Sequence, residues 1–416
     1  MRRWALISLQ AAILTFGFCI AFAAPYKQML DDPLRFRGHA GAETAREGLD
    51  AVVIGLFAPG EEAGAVARDL NRGVALAVAR ANGEGGLRGT PFRVARRWDD
   101  NPWGAGSKEM IRLVYRDRSW AVIGFTNGAG HIAEQIAAKA YLPVLSPVSS
   151  DPTLTHARLP WIFRLPPDGA AQARILIEEG VVPRGLKRVG MVTSTDHDGR
   201  RAAAGLRSAM ERFGVPAAFH LSVEADLPDL RQAARRIRDF SPDGLVLRLP
   251  PVLVVRLLQA LGESGDSFPI FLPWIPGLSE ADLRGAYRGT IVAVEPFSRS
   301  RGDGALADFE RAYRDRFASP PSASAAYGYD AARMVVAAVR SAGLTRSGVR
   351  DALAAKSGYR GASGMIDWDN GGGNRAQPVL RLLPGSPEQD KQLMCDGGKT
   401  SMDSPNRNLI PDGGPR

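Results

Sequence analysis

Short apolar runs alternate along the chain with longer stretches whose apolar residues recur every three or four positions. Val52-Val53-Ile54-Gly55-Leu56-Phe57 reads as a strand buried on both faces, followed by helical spacing over Val66 to Ala81 that stops at Asn82-Gly83. Strands are predicted at Phe92 to Trp98, Trp120 to Gly124 and Leu142 to Leu145, with helices at Ser107 to Arg116 and His131 to Ala140 between them. The rhythm resumes with strands at Arg188 to Thr193, Ala218 to Ser222, Gly244 to Leu249, Ile270 to Leu272 and Thr290 to Val294. Helices at Gly199 to Phe213, Leu227 to Phe240 and Val252 to Leu261 separate them. Such alternation implies right-handed β-α-β units and parallel sheets covered by helices. After Phe297 the pattern turns helical (Ala305 to Phe317, Ala323 to Ala342, Arg346 to Ala355). A closing hairpin is predicted between Met365 to Trp368 and Val379 to Leu383, around Asp369-Asn370-Gly371-Gly372-Gly373.

The ends differ from this body. Met1-Arg2-Arg3, an apolar stretch to Ala23 and the A-x-A pattern Ala21-Phe22-Ala23 make residues 1–23 a secretory signal peptide. Phe16-Gly17-Phe18 ahead of Cys19 are too bulky for a lipobox, so export to the periplasm as a soluble protein is expected. Cleavage leaves Cys395 alone, without a partner for an internal disulfide. Residues 24–50 form a polar N-terminal extension, and the Gly-, Pro-, Asp- and Ser-rich tail 385–416 is expected to be disordered.

The length of 416 residues favours two lobes over one core. The 53 basic and 44 acidic residues give a net charge of +9, but the Arg residues are scattered rather than set in runs with aromatics, which argues against nucleic acid. No P-loop, no G-x-G-x-x-G after the first strand and no G-x-S-x-G elbow occurs, so an α/β enzyme is disfavoured and no cofactor is implied. The five His residues (39, 131, 156, 197 and 220) show no metal-ligand spacing. Asn82-Gly83-Glu84-Gly85-Gly86-Leu87-Arg88-Gly89 runs from helix to strand and reads as a structural turn. Ligands in open α/β sheets bind beyond the carboxyl ends of strands. There Thr126-Asn127-Gly128 and Ser149-Ser150 offer N–H groups and hydroxyls as a carboxylate cradle, or serve as two ordinary helix caps.

Read in order, several short motifs resemble the periplasmic leucine/isoleucine/valine-binding proteins of branched-chain amino acid ABC transporters. They are Val53-Ile54-Gly55, Arg80-Ala81-Asn82 with Gly85-Gly86-Leu87-Arg88-Gly89, Asp99-Asp100, Val122-Ile123-Gly124 and Leu142-Pro143-Val144-Leu145-Ser146-Pro147. Phe163-Arg164, Tyr329-Asp330-Ala331 and Gly364-Met365-Ile366-Asp367-Trp368 complete the set, over residues 51 to about 384. The resemblance implies the type I periplasmic binding protein fold: α/β, with two doubly wound Rossmann-like lobes joined by three crossovers near Leu165, Pro296 and Gly361. Lobe 1 is then 51–165 and 297–360, and lobe 2 is 166–296 and 361–384. It also implies a monomer that closes on a small-molecule ligand and docks on an inner-membrane ABC permease, without catalysis.

The family's contacts carry over unevenly. Its carboxylate-binding serine falls near Gly128, leaving backbone N–H groups with Thr126 or Asn127, while its second set matches as Val148, Ser149 and Ser150. Its lobe-2 tyrosine falls at Asp198, and its ammonium-binding tyrosine and glutamate fall near Pro250 and Trp274. Both cysteines of a family disulfide are missing, near Asn101 or Pro102 and at Asn127. A buried ammonium without a carboxylate costs several kcal/mol; Asp196 and Asp198 are the nearby acids. Arg248 with Trp103 and Trp274 suits a planar anionic or aromatic ligand instead, unless Arg248 pairs with a neighbouring acid and Trp274 packs in the core. The expected ligand is thus a small carboxylate: a branched-chain or related amino acid by family default, an aromatic or quinone-like acid otherwise. A periplasmic ligand sensor would use the same lobes.

Overall fold

The computed structural model describes residues 48–383, except 126, 225, 227–228, 300–303 and the side chains of Pro102, Trp103 and Asn127. The signal peptide 1–23, all but the last residues of 24–50, and the tail 385–416 lie outside the described residues.

The apolar run Val52–Phe57 (β1) is buried at every position, as a central parallel strand must be when helices cover both faces. It pairs in parallel with Phe92–Arg97 (β2) on one side and Ala121–Gly124 (β3) on the other. Val144–Ser146 (β4) and Ile162–Pro167 (β5) extend the sheet beyond β3. The second series repeats this plan with Val189–Ser194 (β6), Phe219–Val223 (β7), Gly244–Arg248 (β8), Ile270–Leu272 (β9) and Ile291–Glu295 (β10). The spatial orders β2-β1-β3-β4-β5 and β7-β6-β8-β9-β10 are the same doubly wound topology twice. Each sheet therefore has a switch point, between β1 and β3 and between β6 and β8, where the strand ends open a crevice.

The chain passes between sheets after Pro167, after Glu295 and once more near the end. The last passage differs from the expected position near Gly361. Tyr359–Gly361 (β11) and Gly364–Ile366 (β12) pair with each other, and Gly373–Asn374 (β13) joins the first sheet beside β5. Val379–Leu383 (β14) lies antiparallel to β10 in the second sheet, so the expected 365–368/379–383 hairpin does not form and the crossing falls between Asn374 and Val379. Asp330, fully buried, explains why the β11–β12 turn stays with the first sheet. Its carboxylate accepts Ala362 N–H (3.0 Å), Ser363 N–H (2.7 Å) and Ser363 Oγ (2.5 Å). Asn374 Nδ2 in turn donates to Leu165 O at 2.7 Å, tying the last crossing to the first.

Helices Ala65–Gly83 and Ala323–Ala342 pack closely over the first sheet. Gly73 permits this approach, because a Cβ there would stand 2.1 Å from Ala325 O. The glycine-rich turn after the first of these helices is structural, as the sequence suggests. Its Glu84 receives Arg333 Nη1 (3.0 Å) and Arg340 Nη1 (2.8 Å) from the second helix. Burial pulls the Glu84 carboxyl upward, but those hydrogen bonds outweigh it and hold the group at about 2, below its ordinary 4.5. A depressed carboxylate stabilises the fold above its unfolded value and loses that contribution as pH falls through its folded one. Glu84→Gln should therefore lower the urea midpoint at pH 7, and the gap from wild type should close between pH 4.5 and 2. A gap that persists unchanged at pH 2 would assign the loss to something other than these ion pairs.

Candidate functional site

The loop beyond β4 meets the helix beyond β6, where Asp151 contacts His197 and Arg201, and the loop beyond β9 meets the helix beyond β1, where Gly277 lies against Val66. The sequence-selected residues are spread along this interlobe region. Gly128, half-buried, lies in the first turn of helix Asn127–Ala140. Ser149 is fully buried and its Oγ accepts Asp151 N–H at 3.2 Å; Ser150 is half-buried, and its carbonyl accepts Gly169 N–H at 2.7 Å. The side chains of Thr126, Asn127 and Trp103 are outside the described residues.

On the other lobe Asp196 is committed to its helix. It caps His197–Arg212 by accepting Gly199 N–H at 2.7 Å, and it also accepts Ser194 Oγ at 2.8 Å. Arg248 Nη2 lies 3.7 Å from Asp198 Oδ2, and its Nη1 donates to Leu249 O at 3.4 Å. Of the two readings open for Arg248, the geometry gives the pairing with a neighbouring acid. Trp274 is only 8% exposed, its ring 6.0 Å from Tyr327, and Tyr327 meets Phe297 edge-on at 5.5 Å. It is core on one face and wall on the other, because it also lines a cavity of about 640 Å³ with Arg68, Asp69, Phe297, Arg299 and Ser322. Another hollow of about 350 Å³ lies away from the strand ends, between Arg231, Arg256 and Glu263 on the outer helices.

Between the serines and Asp198 sits a cluster that sequence spacing does not reveal. Asp151, its side chain 1% exposed, faces His131 Nε2 at 3.3 Å and, across the cleft, His197 Nε2 at 3.1 Å and Arg201 Nε at 3.8 Å. Its other oxygen accepts Thr153 Oγ1 (2.6 Å) and Thr153 N–H (2.9 Å). The two imidazole rings, 66 positions apart in the chain, are 6.1 Å apart, against the expectation of scattered histidines. His131 stands between two carboxylates, with Nδ1 2.9 Å from Glu134. Hydrogen bonds to Asp151 first and Glu134 second raise His131 to about 9, against the opposing pull of burial. Burial pushes Asp151 up, but bonds from His131, Thr153 and His197 prevail and hold it far below the usual carboxylate range. Only the fold, by placing the ends of β4 and β6 opposite each other, could have announced this group.

A family model for periplasmic binding proteins matches residues 52–383. The chain belongs to that family. Among solved structures, the isoleucine complex of the branched-chain amino acid transporter substrate-binding protein LivJ from Streptococcus pneumoniae is similar, with a TM-score of 0.73 and 21% identity. The likeness covers 80% of this chain and 97% of that one. A solute-binding protein of an ABC transporter from R. palustris, in complex with benzoate, gives a TM-score of 0.70 at 18% identity, over 81% and 94% of the two chains. At these identities the likeness is one of fold: α/β, the type I periplasmic binding protein architecture. Glutamate receptor 3.7 of Arabidopsis thaliana is 27% identical over 142 residues, 33% of this chain and only 15% of that receptor's length. Among the described residues no helix is long and apolar enough to cross a membrane.

For this member of the family, Trp274→Ala should cost about 3 kcal/mol of stability in urea unfolding without any ligand, because it empties a core contact as well as a cavity wall. A loss below about 1 kcal/mol would make Trp274 a wall residue alone.

Proposed function

We propose that this periplasmic binding protein is the exported solute receptor of an ABC importer, closing its two lobes on a small carboxylate-bearing molecule. The observation that carries the reading is the meeting of two switch-point crevices, with Ser149, Ser150 and the helix starting at Asn127 on one side. The N–H groups of a helix N-terminus and the positive end of its dipole favour a carboxylate there. Ligand contacts both lobes only when they are closed, so binding shifts the population toward the closed form, and an inner-membrane permease recognises that form. The protein acts in the periplasm as a monomer, with its leader 1–23 removed, and binds rather than turns over its ligand.

A branched-chain or related amino acid is the ligand expected first. The second reading, an aromatic acid, is supported by the Trp274–Tyr327–Phe297 wall beside Arg68 and Arg299 in the cavity. The charged groups there are engaged with one another on both sides, Asp69 with Arg68 (3.3 Å), Glu295 with Arg381 (2.9 Å) and Arg299 with Glu310 (3.4 Å), so the aromatic wall is what favours the second reading. Thermal unfolding of the mature protein with leucine, valine, benzoate and dihydroxybenzoate separates the two. Ligand at 100 times its dissociation constant should add about 2.7 kcal/mol. Stabilisation by leucine or valine excludes the aromatic reading, stabilisation by the aromatic acids alone excludes the amino acid, and hydrolysis or conversion of a bound ligand would replace the receptor with an enzyme. Ser150→Ala should weaken the successful carboxylate about tenfold in titration calorimetry, the loss of roughly one hydrogen bond to a charged group; unchanged affinity would remove Ser150 from the site.

A further inference from the structure

The His131–Asp151–His197 cluster carries an inference independent of which solute binds. We infer that these three residues form a site for one divalent transition-metal ion, of the zinc class, bridging the two lobes. One ligand atom from each lies within 4.8 Å of the others, and Nε2 of both imidazoles faces the same carboxylate oxygen, Asp151 Oδ2. A tetrahedral ion with bonds of about 2.0 Å needs ligand atoms about 3.3 Å apart. Two of the three edges already have that length, at 3.1 Å (His197 to Asp151) and 3.3 Å (His131 to Asp151). The third edge, between the imidazoles, is no longer than 4.8 Å.

The surroundings suit coordination. Glu134 holds His131 Nδ1 at 2.9 Å, the outer carboxylate that orients a ligating imidazole and makes it more basic. Thr153 Oγ1 lies 3.2 Å from His131 Nε2, placed to hold a water in the fourth position. His197 is 44% exposed along its side chain, which gives an ion access from the cleft. On binding, any proton on either Nε2 leaves to solvent and the ion replaces two hydrogen bonds to Asp151 Oδ2. Arg201, 3.8 Å from the other Asp151 oxygen and 43% exposed, is the guanidinium paired with this carboxylate; it opposes the metal and can swing into solvent. Two imidazoles and one carboxylate favour zinc, copper or nickel over the oxygen-seeking magnesium and calcium. Because His131 and Asp151 belong to the first lobe and His197 to the second, the ion would hold the lobes together.

Untagged mature protein, stripped with chelator and dialysed, is titrated with zinc chloride in a calorimeter. The expected result is one ion per chain, at least tenfold weaker in His197→Ala, about 10–100-fold weaker in Glu134→Gln, tighter in Arg201→Ala and unchanged in His220→Ala, with no heat from magnesium. His197 and Arg201 are part-exposed, so their variants keep the fold, which far-UV dichroism checks. Absence of zinc binding, zinc binding that His197→Ala leaves intact, or equal binding of magnesium would each overturn the assignment.

Discussion

One buried carboxylate organises the relation between the lobes. Asp151 follows β4 at the end of the first sheet, shielded from water, and an unpaired anion there costs several kcal/mol. His131 and Thr153 of its own lobe meet part of that demand, and His197 and Arg201 of the other lobe meet the rest. The helix His197–Arg212 must therefore stand over the ends of β3 and β4, which sets the two crevices face to face. Ser149 and Ser150 directly precede Asp151, Asp198 directly follows His197 and lies 3.7 Å from Arg248, and the cavity beside Trp274 is lined by residues of both lobes.

The crossings between lobes rest on a second buried charge. Arg164 in β5 is 1% exposed, donates to Pro166 O at 2.6 Å and lies 3.3 Å from Asp168, at the point where the chain leaves the first sheet. Gly372, at φ +85°, passes so close that a Cβ would stand 2.2 Å from Ile162 O. Keeping residues 361–374 with the first sheet also changes the charge map. With the last crossing after Asn374, the first lobe carries 25 basic and 18 acidic residues and the second 18 and 16. The +9 of the whole chain is thus concentrated in the first lobe without belonging to it alone.

The parts legible in the sequence were those whose pattern is local. Fully apolar runs such as Val52–Phe57 identify central strands within a residue or two, and helices such as Ala323–Ala342 show their period and their stop at Gly343. β5 escaped because Arg164 and Pro166-Pro167 break the apolar run that marks a parallel strand. The helix beginning at Gly169 escaped with it, since its latter part, Leu176–Val181, widens into π turns and blurs the period. β14 was visible as a strand, but alternation cannot say which strand it pairs with, and burial of Asp330 settled that in favour of the first sheet for the neighbouring turn. At the site, Asp196 was selected as an acid for an ammonium group, and the structure adds that its carboxylate also caps a helix by accepting Gly199 N–H. The histidine pair left no trace in the chain because nothing in the sequence encodes which loops face each other across a cleft.

Small-angle scattering of the metal-free, ligand-free protein and of the double variant His197→Ala/Arg201→Ala tests the role given to Asp151 most directly. Both replaced side chains lie on the second lobe and are more than two-fifths exposed, at 44% and 43%, so each lobe keeps its own core. The account predicts a larger radius of gyration for the variant, as the lobes part when Asp151 loses its partners across the cleft. Superimposable profiles would contradict it, showing that the lobes hold their relation without this carboxylate.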